Sequence, residues 1–440
     1  MSVFQLFQAA WTYLREKNRI YRMDYERLLE LAGERLKKQV RRAYCEVPFY
    51  RNIYRGIEID KVRSMEDIKK LPIVTKSQLR DADPDKIIPS NSENFIPVST
   101  SGTTGKPLTL YVSPLEVIHG LLGYIRALDR HGIDWRRSKM AIIMDLREDS
   151  AETGYMKKFL LKRFPSMLRN VLMLNTNDEP RKIMRELESF QPDFVGGYTG
   201  MLAHLALLQQ KGYGNIHPSR VASTGSCMSR KLKKFIEKTF DAKLFEVYGA
   251  TETGPISFEC EHGKMHVNED LVIMEILGKR VGKAVVTKLY GGGTPIIRYS
   301  GISDIVEIGR TNCKCGLDGM IIKKIYGRDN LAIYRKDGAV LTPSVFAEIF
   351  SPLIYRLKTN RVKATKVIQH SLDRLEIRVV LDEKNVDVGD DEIMAEIEKN
   401  FRKYMGDIEM IIRKVKRISR KTPTVLTKVN PEKLPRLKYL

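Results

Sequence analysis

The chain has 440 residues, of which 42% are hydrophobic, and its 76 Lys and Arg against 54 Asp and Glu give a net charge of +22 at pH 7. This length predicts two or three domains, and the apolar fraction is that of a globular protein, which excludes intrinsic disorder over the chain. No apolar run is long enough to cross a bilayer and no cleavable signal pattern opens the chain, so we expect a cytoplasmic protein without a membrane span.

The positive charge favours anionic partners. Basic residues are densest at 37–42, 231–238 and 413–421, in predicted amphipathic helices or terminal segments. No zinc-finger, helix-turn-helix or RNA-binding signature accompanies them, so nucleic acid is not an expected partner. Five cysteines are too sparse for a disulfide framework, and we expect Cys45 and Cys227 to be packing residues.

Hydrophobic periodicity predicts a helix over residues 1–45, which Val47 and Pro48 end. Thr75 is a predicted helix N-cap. Further along, predicted strands alternate with predicted helices. The strands are at 140–144, 220–224 and 244–248, and the helices at 183–190, 201–211 and 230–240. This alternation predicts an α/β domain with a mostly parallel sheet.

The pattern changes after about residue 255, where short strands are predicted at 266–277, 282–289, 296–299 and 305–308. The last part of the chain combines a predicted strand at 375–381 with a predicted helix at 391–405. We therefore predict a large α/β amino-terminal domain over 1–327, with a β-rich subdomain at about 255–327. A small α+β domain is predicted over 328–440.

A run of hydroxyls and glycines occupies residues 99–107, with the sequence Ser-Thr-Ser-Gly-Thr-Thr-Gly-Lys-Pro. Glycine lets the backbone approach a ligand closely, and hydroxyl and backbone N–H donors can then cradle phosphates. The spacing is not that of a Walker loop, because no Gly-Lys-Ser/Thr closes it. The run predicts a nucleotide-phosphate site of a different architecture or, alternatively, a plain surface turn.

Three later segments read Val-Tyr-Gly-Ala-Thr-Glu-Thr-Gly (247–254), Arg-Tyr-Ser-Gly-Ile-Ser-Asp (298–304) and Tyr-Gly-Arg-Asp-Asn (326–330). With the hydroxyl-rich run, in this order, they resemble the core motifs of the adenylate-forming superfamily of acyl-CoA synthetases, aryl-CoA ligases and peptide-synthetase adenylation domains. Residues 47–51, 71–76 and 196–199 resemble the phenylacetate-CoA ligase branch in particular. That branch includes capsular-polysaccharide-biosynthesis homologues and proteins proposed to adenylylate a deazaflavin coenzyme.

The resemblance implies ATP-dependent activation of a carboxylic acid as an acyl- or aryl-adenylate, followed by transfer to CoA. Attack on the α-phosphate builds up negative charge that donors and a cation stabilise. By resemblance, the β- and γ-phosphates are assigned to Ser101, Thr103, Thr104 and Lys106. Thr251 is assigned to the α-phosphate and Glu252 to Mg²⁺, for which a carboxylate is a suitable hard ligand.

The same resemblance implies which residues contact the adenine and ribose of ATP. Tyr248 is expected to stack on adenine next to Gly249, and Asp304 to accept both ribose hydroxyls with Arg328 beside it. Gly225 and Ser226 are expected to line the adenine and acyl pocket.

The resemblance also implies a carboxy-terminal domain that swings about a hinge near 327–329, and it favours a homodimer. The family places a lysine after glycine near its carboxy terminus. Residues 433–440 of this chain contain Pro-Arg without a following Gly-Lys, which leaves Lys438 as the candidate catalytic lysine. Ile302 and Ser303 also replace the family's Thr-Gly before Asp304. Two alternatives are therefore retained: an adenylyltransferase that acts on a non-CoA acceptor or coenzyme, and a non-catalytic nucleotide-binding homologue.

A second candidate site is formed by cysteine and histidine. Cys313 and Cys315 are one residue apart, and Cys260 and His266 flank a short turn-forming segment. Four such ligands suit tetrahedral Zn²⁺, with His262 as the alternative to His266. The alternative interpretation is a set of free thiols on turns.

Overall fold

The computed structural model of this protein describes residues 7, 11, 14, 23–90, 95–100, 107–147, 169–419 and 422–440. In these ranges the α-helices are α1 (Tyr25–Glu46), α2 (Pro48–Ile53), α3 (Lys76–Asp81), α4 (Pro114–Arg130), α5 (Pro180–Phe190), α6 (Thr199–Gln210), α7 (Arg230–Phe240), α8 (Pro343–Phe350), α9 (Pro352–Tyr355) and α10 (Asp390–Met405). Short 3₁₀ helices span Ile59–Lys61, Asp67–Lys70, Pro84–Lys86 and Pro431–Lys433.

The strands of the same ranges are β1 (Ile96–Ser99), β2 (Thr109–Val112), β3 (Met140–Met144), β4 (Val171–Asn175), β5 (Phe194–Tyr198), β6 (Arg220–Thr224), β7 (Lys243–Ala250), β8 (Gly254–Glu259), β9 (Met265–Val267), β10 (Val272–Gly278), β11 (Val281–Lys288), β12 (Asp304–Asn312), β13 (Asp318–Arg328), β14 (Ile333–Tyr334), β15 (Ala339–Leu341), β16 (Val362–Ser371), β17 (Arg374–Leu381), β18 (Glu409–Lys414), β19 (Val425–Thr427) and β20 (Lys438–Tyr439).

The main sheet has 11 strands in the order β10-β11-β12-β13-β9-β8-β7-β6-β5-β3-β4. At one end, β4, β3, β5, β6 and β7 pair in parallel. Parallel neighbours need crossover connections, and α5, α6 and α7 supply them. The carboxyl ends of these strands therefore meet at one border of the sheet, the carboxyl edge, which is where such sheets bind ligands. The predicted α/β class with a parallel-rich sheet is confirmed.

Helix α7 shows how the sequence sets the helix layer. Ser229 caps it, its hydroxyl accepting a hydrogen bond from the Leu232 N–H at 3.1 Å. Leu232, Ile236 and Phe240 recur every fourth residue and are buried against the sheet. The outer face is left to solvent and carries exposed lysines at three positions: Lys231, Lys234 and Lys238.

The other half of the main sheet is antiparallel. Strand β7 pairs in parallel with β6 on one side and antiparallel with β8 on the other. Strands β9, β13, β12, β11 and β10 continue the antiparallel pairing. This arrangement sets the first residue of β12, Asp304, opposite the last residue of β13, Arg328. The two halves of the sheet thus bring segments far apart in sequence to the two sides of β7.

A buried ion pair joins the amino-terminal helices to this sheet. The Arg126 guanidinium on α4 donates two hydrogen bonds to the Asp270 carboxylate, at 2.8 and 3.0 Å, and the exposed fractions of the two side chains are 3% and 1%. Arg35 on α1 donates to the Asp270 carbonyl at 2.7 Å. Burial alone would raise the pKa of Asp270, but the charge and hydrogen bonds of Arg126 keep that pKa below its ordinary value. A buried carboxylate is tolerated here because it is fully paired.

Several predicted elements are confirmed with their bounds. Strands Met140–Met144 and Arg220–Thr224 and helix Arg230–Phe240 lie where the sequence placed them. Thr75 caps α3 with a complete capping box. The predicted helix over 1–45 is described at residues 7, 11, 14 and 25–46, and the rest of that prediction lies outside the described residues.

Two strand predictions and one packing prediction are wrong. The predicted strand 266–277 is split in two, because the N–H groups of Leu271 and Val272 turn back to the Asn268 carbonyl. The predicted strand 296–299 is absent among the described strands, because Arg298 has a φ of 45°, in the left-handed region, which breaks an extended run. Cys45 is exposed and is not a packing residue.

The carboxy-terminal part forms two further sheets, β14-β15-β20 and β18-β17-β16-β19. Helices α8 and α10 cover a separate buried cluster, whose members run from Ile333 to Val425. The carboxy-terminal part contacts the helix layer of the main sheet through both polar and apolar groups. The Ser229 and Ser351 hydroxyls are 2.7 Å apart and buried, Lys211 pairs with Asp387, and Ile354 packs against the apolar cluster of that layer. No helix in the described ranges combines the length and the hydropathy that a bilayer crossing needs.

Candidate functional site

The candidate site lies at the carboxyl edge, where β7 ends. After Tyr248 the register against β8 shifts, and Gly249 approaches Gly254 so closely that a Cβ on Gly249 would lie 2.6 Å from the Gly254 carbonyl oxygen. Only glycine fits there, so the backbone folds tightly. Residues 251–253 form the resulting turn. The turn holds Thr251 and Glu252 beside the last residues of β7.

Asp304 and Tyr248 are directly bonded across the two halves of the sheet. The Tyr248 hydroxyl donates to Asp304 Oδ2 at 2.8 Å, and Arg328 is the register partner of Asp304. Burial raises the pKa of Asp304 to about 6, and the charges of Asp329 and Glu252 add to this, although the Tyr248 hydrogen bond and the charge of Arg328 oppose it. The structure therefore brings three of the predicted nucleotide residues into one group and leaves its carboxyl close to half ionised at pH 6.

Glu252 is also nearly buried, with 6% of its surface exposed. Its Oε1 accepts a hydrogen bond from the Tyr299 hydroxyl at 3.1 Å and lies 3.5 Å from Lys76 Nζ. Burial and the neighbouring Glu252 carboxylate raise the pKa of Tyr299 far above its ordinary value, so this hydroxyl remains a donor. A second lysine, Lys288, approaches the Glu252 carbonyl at 3.5 Å.

Sequence reasoning did not assign Lys76 or Tyr299 to the site. Lys76 is the first residue of α3, directly after its N-cap Thr75. A cation is unfavourable at a helix amino terminus because of the helix dipole. The presence of Lys76 at this position is therefore the sequence feature that could have marked it as a site residue. Tyr299 was part of a predicted strand, and in the structure it follows Arg298, whose backbone is left-handed, and donates its hydroxyl to Glu252.

Gly225 and Ser226 follow β6 at the same carboxyl edge. Gly225 has a φ of 84°, and a Cβ there would lie 2.5 Å from Cδ1 of Tyr198, so glycine is required for the Tyr198 ring to pack on this turn. The Ser226 carbonyl accepts from the Thr199 hydroxyl at 3.1 Å. The ends of β5, β6 and β7 thus place these two residues on the parallel side of Tyr248.

Cys227 follows Ser226 and is half-buried beside Asp304. Burial, together with the negative charge of Asp304, raises the pKa of Cys227 to about 12. Its thiol lies 3.7 Å from the Ile325 carbonyl, to which it donates. A protonated thiol is a weak nucleophile, and this environment does not favour the thiolate of Cys227.

The predicted phosphate residues Ser101, Thr103, Thr104 and Lys106 lie outside the described residues. The chain on either side of them is described: β1 and β2 pair antiparallel, and the Thr100 N–H donates to the Leu108 carbonyl at 2.9 Å. The Thr294 N–H in turn donates to the Tyr111 carbonyl at 2.7 Å. This contact ties β2 to the segment that follows Lys288.

A buried ion pair holds that segment. Lys288 Nζ lies 2.6 Å from Glu116 Oε1, and Glu116 Oε2 accepts from the Gly293 N–H at 2.7 Å. Burial would raise the pKa of Glu116, but Lys288 and the backbone donors keep that pKa below its ordinary value. The pair positions the backbone beside Glu252 and leaves Glu116 no free charge.

Lys438 lies in the other part of the molecule, on β20, which pairs in parallel with β15. It is exposed, and its neighbour Tyr439 packs 5.6 Å from the Tyr326 ring. Among the described residues, no hydrogen bond or ion pair joins the Lys438 side chain to Thr251 or Glu252. Its catalytic role stays a prediction.

The second candidate site is a cluster of the four predicted metal ligands. Cys260, His266, Cys313 and Cys315 are all buried, and their ligand atoms lie within 4.8 Å of one another. Two tight turns present them: the Gly263 N–H donates to the Cys260 carbonyl at 2.8 Å and the Gly316 N–H to the Cys313 carbonyl at 2.9 Å. His266, not His262, completes the cluster.

The distances within this cluster fit a tetrahedral metal. Zn–S and Zn–N bonds of about 2.3 and 2.0 Å imply edges of about 3.8 Å between two sulfurs and about 3.5 Å between sulfur and nitrogen. The Cys260 and Cys313 sulfurs are 3.9 Å apart, and Cys315 Sγ is 3.3 Å from His266 Nε2. Arg130 donates to the Cys315 carbonyl and pairs with Glu261 at 2.6 Å, which fixes the turn from outside.

No family model matches the chain. The phenylacetate-coenzyme A ligase of Thermus thermophilus is 23% identical over 426 residues, which cover 89% of this chain and 90% of that protein. Protein CapK of Staphylococcus aureus is 22% identical over 370 residues, 80% of this chain and 78% of that protein.

Solved structures with a similar fold include 2-hydroxyisobutyryl-CoA ligase in its postadenylation state, in complex with an acyl-AMP. It aligns with a TM-score of 0.70 at 17% identity, over 90% of this chain and 89% of that one. The chain therefore has the fold of the adenylate-forming ligases and is homologous to the phenylacetate-CoA ligases and to CapK, as its motifs predicted.

Proposed function

We propose that this protein is an AMP-forming acid–CoA ligase, which activates a carboxylic acid with ATP as an acyl- or aryl-adenylate and transfers the acyl group to CoA. The observation that carries this proposal is the convergence of Tyr248, Glu252, Asp304 and Arg328 at one edge of the sheet. The substrate classes are supported by two similar proteins. One is a phenylacetate-coenzyme A ligase that is similar in sequence, and the other is an acid–CoA ligase that is similar in fold and was solved with an acyl-AMP bound.

In the first step, a carboxylate oxygen attacks the α-phosphorus of ATP and the bond to the bridging oxygen of pyrophosphate breaks. Asp304 accepts the ribose hydroxyls, and Tyr248 then exchanges its present bond to Asp304 for contact with the base. In the second step, the sulfur of CoA attacks the acyl carbon, the thiol proton is lost to solvent, and the bond from the acyl carbon to the phosphate oxygen breaks, which releases AMP. Glu252, with Thr251 beside it, would hold Mg²⁺, which supplies charge neutralisation at the phosphates when bound.

Lys76 is proposed as a cation of this site. It places a positive charge 3.5 Å from Glu252, where negative charge develops on the phosphates. Lys438, by contrast, is an exposed residue of β20 in the described arrangement. In our proposal, Lys76 stabilises the adenylation transition state and any contribution of Lys438 requires movement of the carboxy-terminal part.

That movement is part of the proposal. Residues 328–440 are proposed to act as a lid that turns about the segment near Asp329 between the two half-reactions. Asp329 is held at present by its N–H, which donates to the Ser303 carbonyl at 2.8 Å, and by its carboxylate, 2.9 Å from Lys283 Nζ. Both contacts join the segment to the main sheet, so turning must break them.

A second candidate function keeps the adenylate step and passes the product to a non-CoA acceptor or coenzyme. The observation that favours it is the position of Lys438 away from Glu252, together with the missing Gly-Lys. The two functions share the nucleotide site and differ in the acceptor. A CoA-dependent readout therefore separates them.

The function is tested by ATP–pyrophosphate exchange with a panel of carboxylic acids, with and without CoA. We expect exchange with at least one acid, and AMP and a thioester when CoA is added. Glu252→Gln should lower exchange by about 10²-fold or more, because the site loses its charged oxygen ligand. Glu34→Gln, an exposed change on α1, should leave exchange unchanged.

Absence of exchange with every acid would contradict the proposal and leave a non-catalytic homologue. Exchange without thioester formation at any CoA concentration would establish the adenylyltransferase function instead.

The Lys76→Gln variant tests the proposed cation. We expect kcat/KM for exchange to fall by about 10²-fold, because one charge at the phosphates is lost. Lys70→Gln is the matched control: Lys70 lies six residues earlier, is exposed, and pairs with Asp67 at 2.5 Å in a 3₁₀ helix. An unchanged rate in Lys76→Gln would show that the lysine merely neutralises Glu252.

Asp304 predicts a pH dependence of nucleoside binding. Its pKa of about 6 is above the ordinary value, so the folded protein protonates this carboxyl as pH falls through 6. Only the carboxylate accepts both ribose hydroxyls, and affinity should therefore fall up to tenfold per pH unit below about 6. Adenosine, which has no phosphate to titrate, is the probe, measured by calorimetry between pH 5 and 8.

The charged and titratable groups around Asp304 are Tyr248, Cys227, Arg328, Asp329 and Glu252. Asp304→Asn should bind adenosine more weakly and without this pH dependence. A wild-type affinity that is flat from pH 5 to 8 would refute the assignment.

We also propose that the cluster of Cys260, His266, Cys313 and Cys315 binds a structural Zn²⁺. The support is the tetrahedral fit of the ligand distances and the full burial of the four side chains. The ion would join the turn after β8 to the turn between β12 and β13. It would thereby fix β12, which begins at Asp304.

Protein purified without added zinc should contain about one zinc per chain. Cys313→Ser should lose the metal and lower the Tm by about 5 °C or more, because a structural zinc contributes folding free energy. Cys45→Ser, which changes an exposed thiol, is the control and should keep both. A zinc-free wild-type protein with the same Tm as a zinc-loaded one would rule out the site.

A further inference from the structure

A cavity of about 520 Å³ lies away from the carboxyl edge, between α7, the end of α6 and the segment that follows α9. Its size is that of a small-molecule site. Four lysines from two segments of the chain line it. Lys231, Lys234 and Lys238 lie on α7, and Lys358 follows α9. The aromatic side chains of Phe235 and Tyr355 also line the cavity.

The four lysines face no compensating charge. No carboxylate lines the cavity, and none of the four pairs with a carboxylate of the described residues. Lys233 of the same helix shows the contrast, since it points to the other side and pairs with Glu259 at 2.6 Å. Four ammonium groups around one cavity repel one another, and an anion would relieve that repulsion.

Lys358 combines an uncommon backbone conformation with an environment that disfavours its positive charge. Its φ of 56° lies in the left-handed region, which is uncommon for a residue with a side chain. Its ammonium lies 4.7 Å from the centroid of the Phe235 ring. Burial, and then the charge of Lys238, lower the pKa of Lys358. A left-handed backbone and a half-buried cation with no carboxylate partner among the described residues coincide in Lys358, and such features cluster at ligand sites.

The cavity spans the contact between the main sheet and the carboxy-terminal part. Lys358 and Tyr355 belong to the chain after Ser351, whereas α6 and α7 belong to the helix layer of the main sheet. Around the cavity this contact includes the buried Ser229–Ser351 hydroxyl pair at 2.7 Å and the Lys211–Asp387 ion pair, and Ile354 packs against the apolar cluster of the helix layer. A ligand in the cavity would therefore touch both parts at once.

We propose that this cavity binds a small oligophosphate anion, an inorganic chain or the diphosphate of a nucleotide, and that the bound anion fastens the carboxy-terminal part to the main sheet. Lysine ammonium groups are suited to phosphate as compact point charges. A single carboxylate would neutralise one of the four charges, whereas two or more phosphates match them. The inference goes beyond the proposed function and does not depend on it.

Lysine acetylation with mass-spectrometric readout tests the site on the wild-type protein. Sodium tripolyphosphate is the first probe, and ADP and CoA are the second and third. We expect at least threefold slower acetylation of Lys231, Lys238 and Lys358 with tripolyphosphate, while Lys399, an exposed residue of α10, serves as internal control. ADP or CoA protecting the same lysines at lower concentration than tripolyphosphate identifies a nucleotide as the source, and the reverse order identifies an inorganic chain.

A triple variant, Lys231→Gln, Lys238→Gln and Lys358→Gln, separates this cavity from the predicted ATP site. Calorimetry of tripolyphosphate should show one binding site fewer than in the wild type. The matched control is the triple variant Lys37→Gln, Lys38→Gln and Lys399→Gln, which removes the same charge from exposed positions and should keep all sites.

Equal acetylation rates with and without all three probes would overturn the proposal. An equal loss of binding in the two triple variants would do so too, because it would show attraction by net charge alone.

Discussion

The candidate site depends on one strand that pairs in two ways. Strand β7 is parallel to β6 and antiparallel to β8, so the carboxyl edge of the parallel half meets the antiparallel half at this strand. The tight approach of Gly249 to Gly254 makes the reversal possible. Because of this geometry, Tyr248 at the end of β7 reaches Asp304 at the start of β12, and Glu252 lies in the turn between them. Without the reversal, Tyr248 and Asp304 would not meet.

The structural carboxylates of this protein differ from the candidate functional one in how completely their charge is paired. Asp270 and Glu116 are each fully paired, with Arg126 and with Lys288, and both have a pKa below the ordinary value. Asp304 is half-buried with weaker compensation, and desolvation raises its pKa to about 6. A buried charge that lacks a full partner is costly, and such charges are kept where a ligand completes them. The lysine-lined cavity differs from these sites, because its lysines are exposed or half-buried and what marks it is the convergence of four of them without a carboxylate in the lining.

Local pattern decided the elements and, with the family motifs, the class of fold. The four-residue spacing of Leu232, Ile236 and Phe240 defines α7, and the capping box at Thr75 defines the start of α3. The predicted zinc ligands also met, because two tight turns and the pairing of β9 with β13 bring Cys260, His266, Cys313 and Cys315 together. The strand predicted at 296–299 failed because a left-handed Arg298 cannot be read from residue types.

The sequence by itself determined the alternation of strands and helices, the resemblance to adenylate-forming enzymes and the identity of most candidate residues. Only the tertiary structure decided which charges share a site. Lys76 and Tyr299 reach Glu252 across 176 and 47 positions of sequence, while Lys438 lies on β20 away from it. Periodicity and motifs report local conformation, whereas burial and charge pairing arise only when distant segments pack together. For that reason the pKa of Asp304 and the lysine-lined cavity were invisible in the sequence.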